Sequence, residues 1–140
     1  MTRKRACIVS VCLLVSVSVA LAQDSKKEQA AVVVAKKWLI MVDQGKYAAS
    51  WKEAAQYFKN AVTQDQWKQA LQAVRSPLGA LISRKIKSQN YVTSVPGAPD
   101  GEYVIIQFDT SFENKKSAIE TVTPMLDKDG SWRVSGYYIK

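Results

Sequence analysis

The sequence predicts an α+β fold in which three N-terminal helices pack on a curved four-stranded antiparallel meander. Three observations predict it. Apolar residues recur at three- and four-residue spacing from Ala31 to Val74, the period switches to alternation after Pro77, and the links between the alternating segments are short. Parallel strands need long crossovers, so short links imply antiparallel neighbours.

The chain begins with a segment that is not part of this domain. Arg3, Lys4 and Arg5 form a basic start, Ala6 to Val19 form an uncharged apolar run, and Ala20-Leu21-Ala22 supplies a small-x-small cleavage pattern before Gln23. Residues 1–22 therefore read as a signal peptide and residues 23–140 as one α+β domain, exported to the periplasm or secreted. The apolar run is shorter than the roughly 20 residues a spanning helix wants, so no stable membrane insertion is expected after cleavage. Cys7 and Cys12 both lie in the leader, and Val11 before Cys12 does not fit a lipoprotein site. The exported chain then has no thiol, disulfide or cysteine metal site.

The first helix starts at the capping box Ser25-Lys26-Lys27-Glu28, carries Ala31, Val34, Trp38, Met41 and Val42 along one side, and stops at Gly45. A second follows with Tyr47, Trp51, Ala54, Ala55 and Phe58. The third opens with the capping box Thr63-Gln64-Asp65-Gln66, carries Trp67, Ala70, Leu71 and Val74, and closes at Ser76-Pro77. Strands are expected over Ala80–Val95, long enough to carry a bulge, then Glu102–Phe112, Ser117–Leu126 and Ser131–Ile139. The intervening turns are Pro96-Gly97-Ala98-Pro99-Asp100-Gly101, Glu113-Asn114-Lys115-Lys116 and Asp127-Lys128-Asp129-Gly130.

Composition narrows the function. The chain of 140 residues has no His, which removes imidazole triads, His-based zinc sites and imidazole pH switches. Loss of the three leader cations takes the formal net charge from +8 to +5, with lysines scattered and not clustered, so no nucleic-acid partner is expected. Asp127-Lys128-Asp129-Gly130 lacks the later ligand positions of a calcium loop and reads as a hairpin turn. No metal and no cofactor is implied.

The chain resembles a family of small exported bacterial proteins known as domain of unknown function 4019. The likeness lies in Trp38-Leu39 with Asp43 and Gly45, Tyr47-Ala48-Ala49-Ser50-Trp51, Arg75-Ser76-Pro77-Leu78-Gly79, Ser83-Arg84, Pro96-Gly97-Ala98-Pro99-Asp100-Gly101-Glu102-Tyr103, Glu120-Thr121-Val122 and Trp132-Arg133-Val134-Ser135-Gly136-Tyr137. It covers nearly the whole exported chain. More distantly, helices first and a bent meander last resemble the cone-shaped fold of the nuclear transport factor two and ketosteroid isomerase superfamily, also termed cystatin-like. The resemblance implies fold and export, and, by analogy only, a pocket between helices and sheet.

Within that frame, one pair of charges stands in apolar alternation. Glu120 lies between Ala118 and Val122, and Arg84 between Ile82 and Ile86. On the inner face both are buried, where desolvation would make each costly unless they pair. A pocket carboxylate is a candidate base, yet an Arg partner lowers its pKa and weakens it. Glu120 and Asp109 are thus weak catalytic candidates, and no catalytic machinery is identifiable. Asp43 and Arg75, near helix ends, have capping and dipole roles available. The ligand-binding candidates are Tyr47, Trp51, Arg84, Tyr103, Glu120 and Tyr137, with the tyrosines and Trp51 offering an apolar wall with one polar tip. The reading is an exported small binding module whose partner is an unknown small molecule or envelope protein. The alternatives are an isomerase or dehydratase using a buried carboxylate, and a structural module that forms a homodimer through the sheet.

Overall fold

The computed structural model describes residues 12–140. The basic start at Arg3–Arg5, the beginning of the apolar run and Cys7 lie outside the described residues. Helix α1 spans Cys12–Asp43, α2 Tyr47–Lys52, α3 Gln56–Ala61 and α4 Gln64–Arg75, followed by a 3₁₀ turn at Ser76–Leu78. Strands β1 (Leu81–Val92), β2 (Tyr103–Phe112), β3 (Lys115–Leu126) and β4 (Trp132–Ile139) form one antiparallel sheet in the order β1-β2-β3-β4. The strands fall where alternation places them, within three residues at every end.

The helices differ from expectation in two places, each with a physical reason. No helix begins at Ser25, because α1 runs through it. The chain from Ala20 to Ala31 contains no Gly or Pro to stop a helix, and Glu28 accepts the Tyr91 amide at 3.0 Å across the fold. The second expected helix is split into α2 and α3. Ala54 and Ala55 are completely buried, and the Ala55 amide donates to the Val134 carbonyl of β4 at 2.8 Å instead of continuing the helix. The Thr63–Gln66 capping box forms as read, with both reciprocal bonds present.

Helix α1 crosses all four strands. Ala31, Ala35, Trp38, Leu39 and Val42 are buried against Val104, Ile106, Phe108, Val122 and Val134 of the sheet, and Trp67 and Leu71 of α4 close the core from the side. Every second residue of β2 from Val104 to Phe112 is buried, while Asp109 is exposed on the opposite face. Strand β1 has register shifts at Leu81/Ser83 and Ile86/Ser88. Arg84 and Ile86, opposite Thr110 and Phe108, share the inner face as alternation has it, but at the sheet edge Ile86 stays 39% exposed, and Ile82, at the first shift, is 54% exposed.

The two motifs rich in Pro and Gly have structural work. Gly79 adopts φ +73°, and a Cβ there would sit 3.0 Å from the Glu113 Cβ, so only Gly fits beside the β2–β3 turn. Asn114 donates from its backbone to Leu78 O and from its side chain to Pro77 O. In the 96–101 loop, Tyr57 donates to Gly97 O at 2.9 Å and the fully buried Tyr103 to Pro99 O at 2.5 Å.

Ser50, fully buried in α2, joins two indoles. Its carbonyl accepts Trp38 Nε1 at 2.8 Å, and its hydroxyl accepts Trp67 Nε1 at 2.9 Å while donating to Tyr47 O at 2.7 Å. Ser50→Ala strands the Trp67 N–H without an acceptor in the core. The expected cost is about 1–3 kcal/mol, read as a lowered urea midpoint with unchanged slope. A midpoint equal to wild type would show that the hydroxyl is dispensable.

Candidate functional site

Six elements bring one charged or polar side chain each to a single cluster. Asp43 is the last residue of α1, Arg75 the last of α4, and Arg84, Thr110, Glu120 and Tyr137 come from β1, β2, β3 and β4. Arg84 is its centre. It donates to Glu120 through Nε to Oε1 at 2.6 Å and Nη2 to Oε2 at 3.2 Å. It also donates to Asp43 through Nη1 at 2.7 Å and Nη2 at 2.9 Å, so one planar guanidinium bridges two carboxylates. Arg75 Nη2 adds a third cationic bond to Asp43 Oδ1 at 2.9 Å, with its guanidinium 4.8 Å from the Phe112 ring centroid. Thr110 donates to Glu120 Oε1 at 2.7 Å and Tyr137 to Oε2 at 2.5 Å.

Two cations face two carboxylates, so the buried cluster is electrically balanced. The Asp43 carboxyl feels burial, which pushes its pKa up, but the bonds and charges of Arg84 and then Arg75 outweigh it and hold the group below its ordinary 3.8. Burial, reinforced by the Glu120 charge, pushes the Tyr137 phenol well above its ordinary 10.0. Tyr137 therefore remains a proton donor to Glu120 at neutral pH.

Such an arrangement orders the protein more readily than it performs chemistry. Glu120 is 0% exposed and both of its oxygens already accept bonds from Arg84, Thr110 or Tyr137. A general base must reach the proton it removes, and Glu120 is enclosed by its own donors. Asp109 lies exposed on the far sheet face, paired in register with Lys85 and Ile119. Among the described residues, no group of three or more His, Cys, Asp or Glu could hold a metal ion, and Asp127 and Asp129 of the last turn are both bonded by Arg133.

The six ligand-binding candidates separate into three places. Arg84, Glu120 and Tyr137 meet in the cluster. Tyr47 and Trp51 are half-buried beside the core, with Trp51 Nε1 donating to Val62 O at 2.7 Å. Tyr103 opens β2 under the 96–101 loop, seven residues and about 23 Å along the strand from Thr110. The space between helices and sheet is filled by Trp38, Leu39, Ile106 and Phe108. A hollow of about 200 Å³ lies between α4 and β4, lined by Trp67, Leu71, Val74, Tyr137 and Tyr138, and others lie along the flanks of α1. One of about 350 Å³ runs between α1 and β1, lined by Lys36, Ile40, Arg84, Lys85, Ile86 and Phe108.

On the other flank, two hollows follow the seam between α1 and β4, and a third adjoins them between the α2–α3 segment and the β3–β4 turn. They measure about 530, 270 and 480 Å³; the first two share Trp132, and the last two share Glu53 and Arg133. Trp132, half-buried, is the aromatic platform that reasoning from the sequence did not single out. Asp43 and Arg75 carry a legible signal: each stands four residues beyond a buried Leu, Leu39 or Leu71, and so falls on the apolar stripe of its helix. Thr110 alternates with Phe108 and Phe112 and carries the same signal. Nothing comparable marks Trp132, whose exposure is set by how far α1 stands from β4.

The depressed Asp43 pKa fixes the sign of an acid effect. Its contribution to stability is complete above 3.8, the unfolded value, and is lost as pH falls through the lower folded value. Asp129, bonded by Arg133, and Glu102, bonded by Lys27, shift in the same direction and share the acid limb. Asp43→Asn leaves Arg75 without a carboxylate and Arg84 with Glu120 alone. It should lower stability at pH 7 by about 3 kcal/mol and flatten the fall below pH 4, as followed by urea denaturation across pH. An unchanged acid limb would assign that limb to Asp129 and Glu102 alone.

The family model described as "Protein of unknown function (DUF4019)" matches residues 34–137. No curated protein and no solved structure matches the chain. The matched span runs from the middle of α1 to Tyr137 and takes in all six residues of the cluster. With well over half of its length matched, the chain belongs to the DUF4019 family of proteins of unknown function.

Proposed function

We propose that the protein is an exported binding module that seats an anionic, partly apolar ligand in the seam between α1 and β4, with Trp132 as the platform. The observation that carries this reading is the run of hollows meeting at Trp132, Glu53 and Arg133. An indole offers a flat apolar face, and cations surround it. Lys26 and Lys37 line the α1 side beside Lys27, which is paired with Glu102, while Lys52, Lys59 and Lys128 line the far end. The acids of the seam are Glu53, Asp127 and Asp129, and the last two are engaged by Arg133. The remaining potential favours a carboxylate, phosphate or sulfate group on the ligand.

Export is supported by the basic start, the apolar run and the cleavage pattern at Ala20–Ala22. Among the described residues, no helix is long and apolar enough to cross a membrane. Cleavage after Ala22 removes Ser18, Val19 and Ala22 from the hollow of about 530 Å³ and leaves Gln23, Lys26, Lys27, Ala30 and Trp132 as an open shelf. The order of helices followed by a meander supports membership of the nuclear transport factor two-like superfamily, with its cone filled by side chains in this chain. A seat on the surface follows from that filling.

Native mass spectrometry of the protein recovered from its own envelope fraction tests both parts. The expected protein mass begins at Gln23; a mass that retains the leader overturns export. The expected spectrum also shows a small-molecule adduct that Trp132→Ala loses. An adduct retained by that variant, or a bare mass in the wild type, overturns the seam as the binding site.

A further inference from the structure

We infer that β1 is a docking edge for an extended acidic segment of another protein, which adds to the sheet as a fifth strand beside the α1–β1 groove. Strand β1 ends the sheet and pairs with β2 alone, so every second backbone amide and carbonyl along it lacks a strand partner. One end of this edge is closed: Glu28 accepts the Tyr91 amide at 3.0 Å, and Lys27 bonds the Tyr91 hydroxyl. The other end is open. There Ile82 is 54% exposed and Ile86 39%, with Ile40 of α1, 53% exposed, lining the same groove as Ile86 above the buried Phe108.

Charge selects the occupant. From Leu81 to Val92 the strand carries Arg84, Lys85 and Lys87 and no acid, and Lys36 of α1 faces the same groove. The nearest acids are already committed or placed elsewhere: Asp43 and Glu120 are bonded by Arg84, and Asp109 pairs in register with Lys85 on the outer face. A second copy is a poor occupant, because an antiparallel β1–β1 pair sets these lysines against their own kind. An incoming strand with alternating apolar and acidic residues satisfies both features. Its apolar side chains seat on Ile40 and Ile86 in the groove, its carboxylates alternate to the outer face and meet Lys85 there, Lys36 at the groove adds to the attraction, and its backbone completes the edge.

The test is titration of ¹⁵N-labelled protein with an acetylated, amidated octapeptide of alternating Glu and Val, and with its counterpart bearing Lys in place of Glu. The expected result is saturable amide shifts confined to residues 82–88 for the Glu peptide, weakened by salt, and binding at least about tenfold weaker for the Lys peptide. Lys36→Gln with Lys85→Gln, at exposed positions outside the buried cluster, removes the attraction without setting an acid against Asp109 and should weaken the Glu peptide by about tenfold with an unchanged melting temperature. Equal binding of the two peptides, no shift with the Glu peptide, or shifts centred on Trp132 overturns the inference. So does a concentration-dependent dimer that Ile86→Lys abolishes, since that would give the edge to a second copy.

Discussion

Arg84 is the residue on which the architecture depends. It sits on an edge strand, which has only one neighbour to hold it, and it is bonded to the end of the longest helix and to the third strand at once. A guanidinium suits this task because its donors lie in one plane and can meet two carboxylates from different directions. A Lys there would offer a point charge and leave part of Asp43 or Glu120 without a donor. Buried ion pairs gain little over apolar packing in net stability, so the cluster is best understood as setting which elements meet and in what register. Removal of either carboxylate would leave excess cationic charge in a poorly solvated site, a far larger penalty than the pair's own net worth.

The same strand is clamped a second time. Glu28 and Lys27 hold Tyr91, and Asp43 holds Arg84. Glu28 and Asp43 are fifteen residues apart on the helix, about 22 Å at the α-helical rise, while Arg84 and Tyr91 are seven residues apart, about 23 Å of strand. Helix and strand are therefore matched in length between their two fastenings and run in opposite directions. The match explains why α1 needs so many residues in one unbroken element. It also explains why Glu28 serves the strand and not a capping box: a bond to a β-edge amide replaces one that Ser25 does not require while the helix continues through it.

Fold and site were legible to different degrees for a physical reason. Strand positions follow from a period of two and from turn residues such as Gly97 and Gly130, both of which are local. The pairing of Arg84 with Glu120 was also legible, because a charge alternating with apolar neighbours has few solutions other than a partner. The break at Ala54–Ala55 was not, since Ala favours helix and only the carbonyl of Val134, nearly eighty residues away in sequence, draws the Ala55 amide out. The bulges of β1 were equally hidden. They depend on how a twelve-residue edge strand accommodates a ten-residue neighbour. Pocket residues were the least legible, because packing volume between elements is a property of no single segment. Tyr103 looked like a cavity wall and is instead the anchor of its own loop.

Helix periodicity finally connects the two grooves that flank α1. At about 100° per residue, the buried stripe of Ala35, Trp38, Leu39 and Val42 leaves two shoulders on α1. Lys36 and Ile40 form the shoulder toward β1, and Val34, Lys37 and Met41 the shoulder toward β4. One helix is thus a wall of both grooves, and any sideways roll of α1 that opened one would narrow the other. The core residues between the shoulders resist that roll, and so do the clamps at Glu28 and Asp43, which fix the helix at both ends of its contact with β1. The charged cluster acts on the grooves through this constraint. By holding α1 still, it keeps both grooves at constant width while leaving their exposed lysines free to differ in charge and contact.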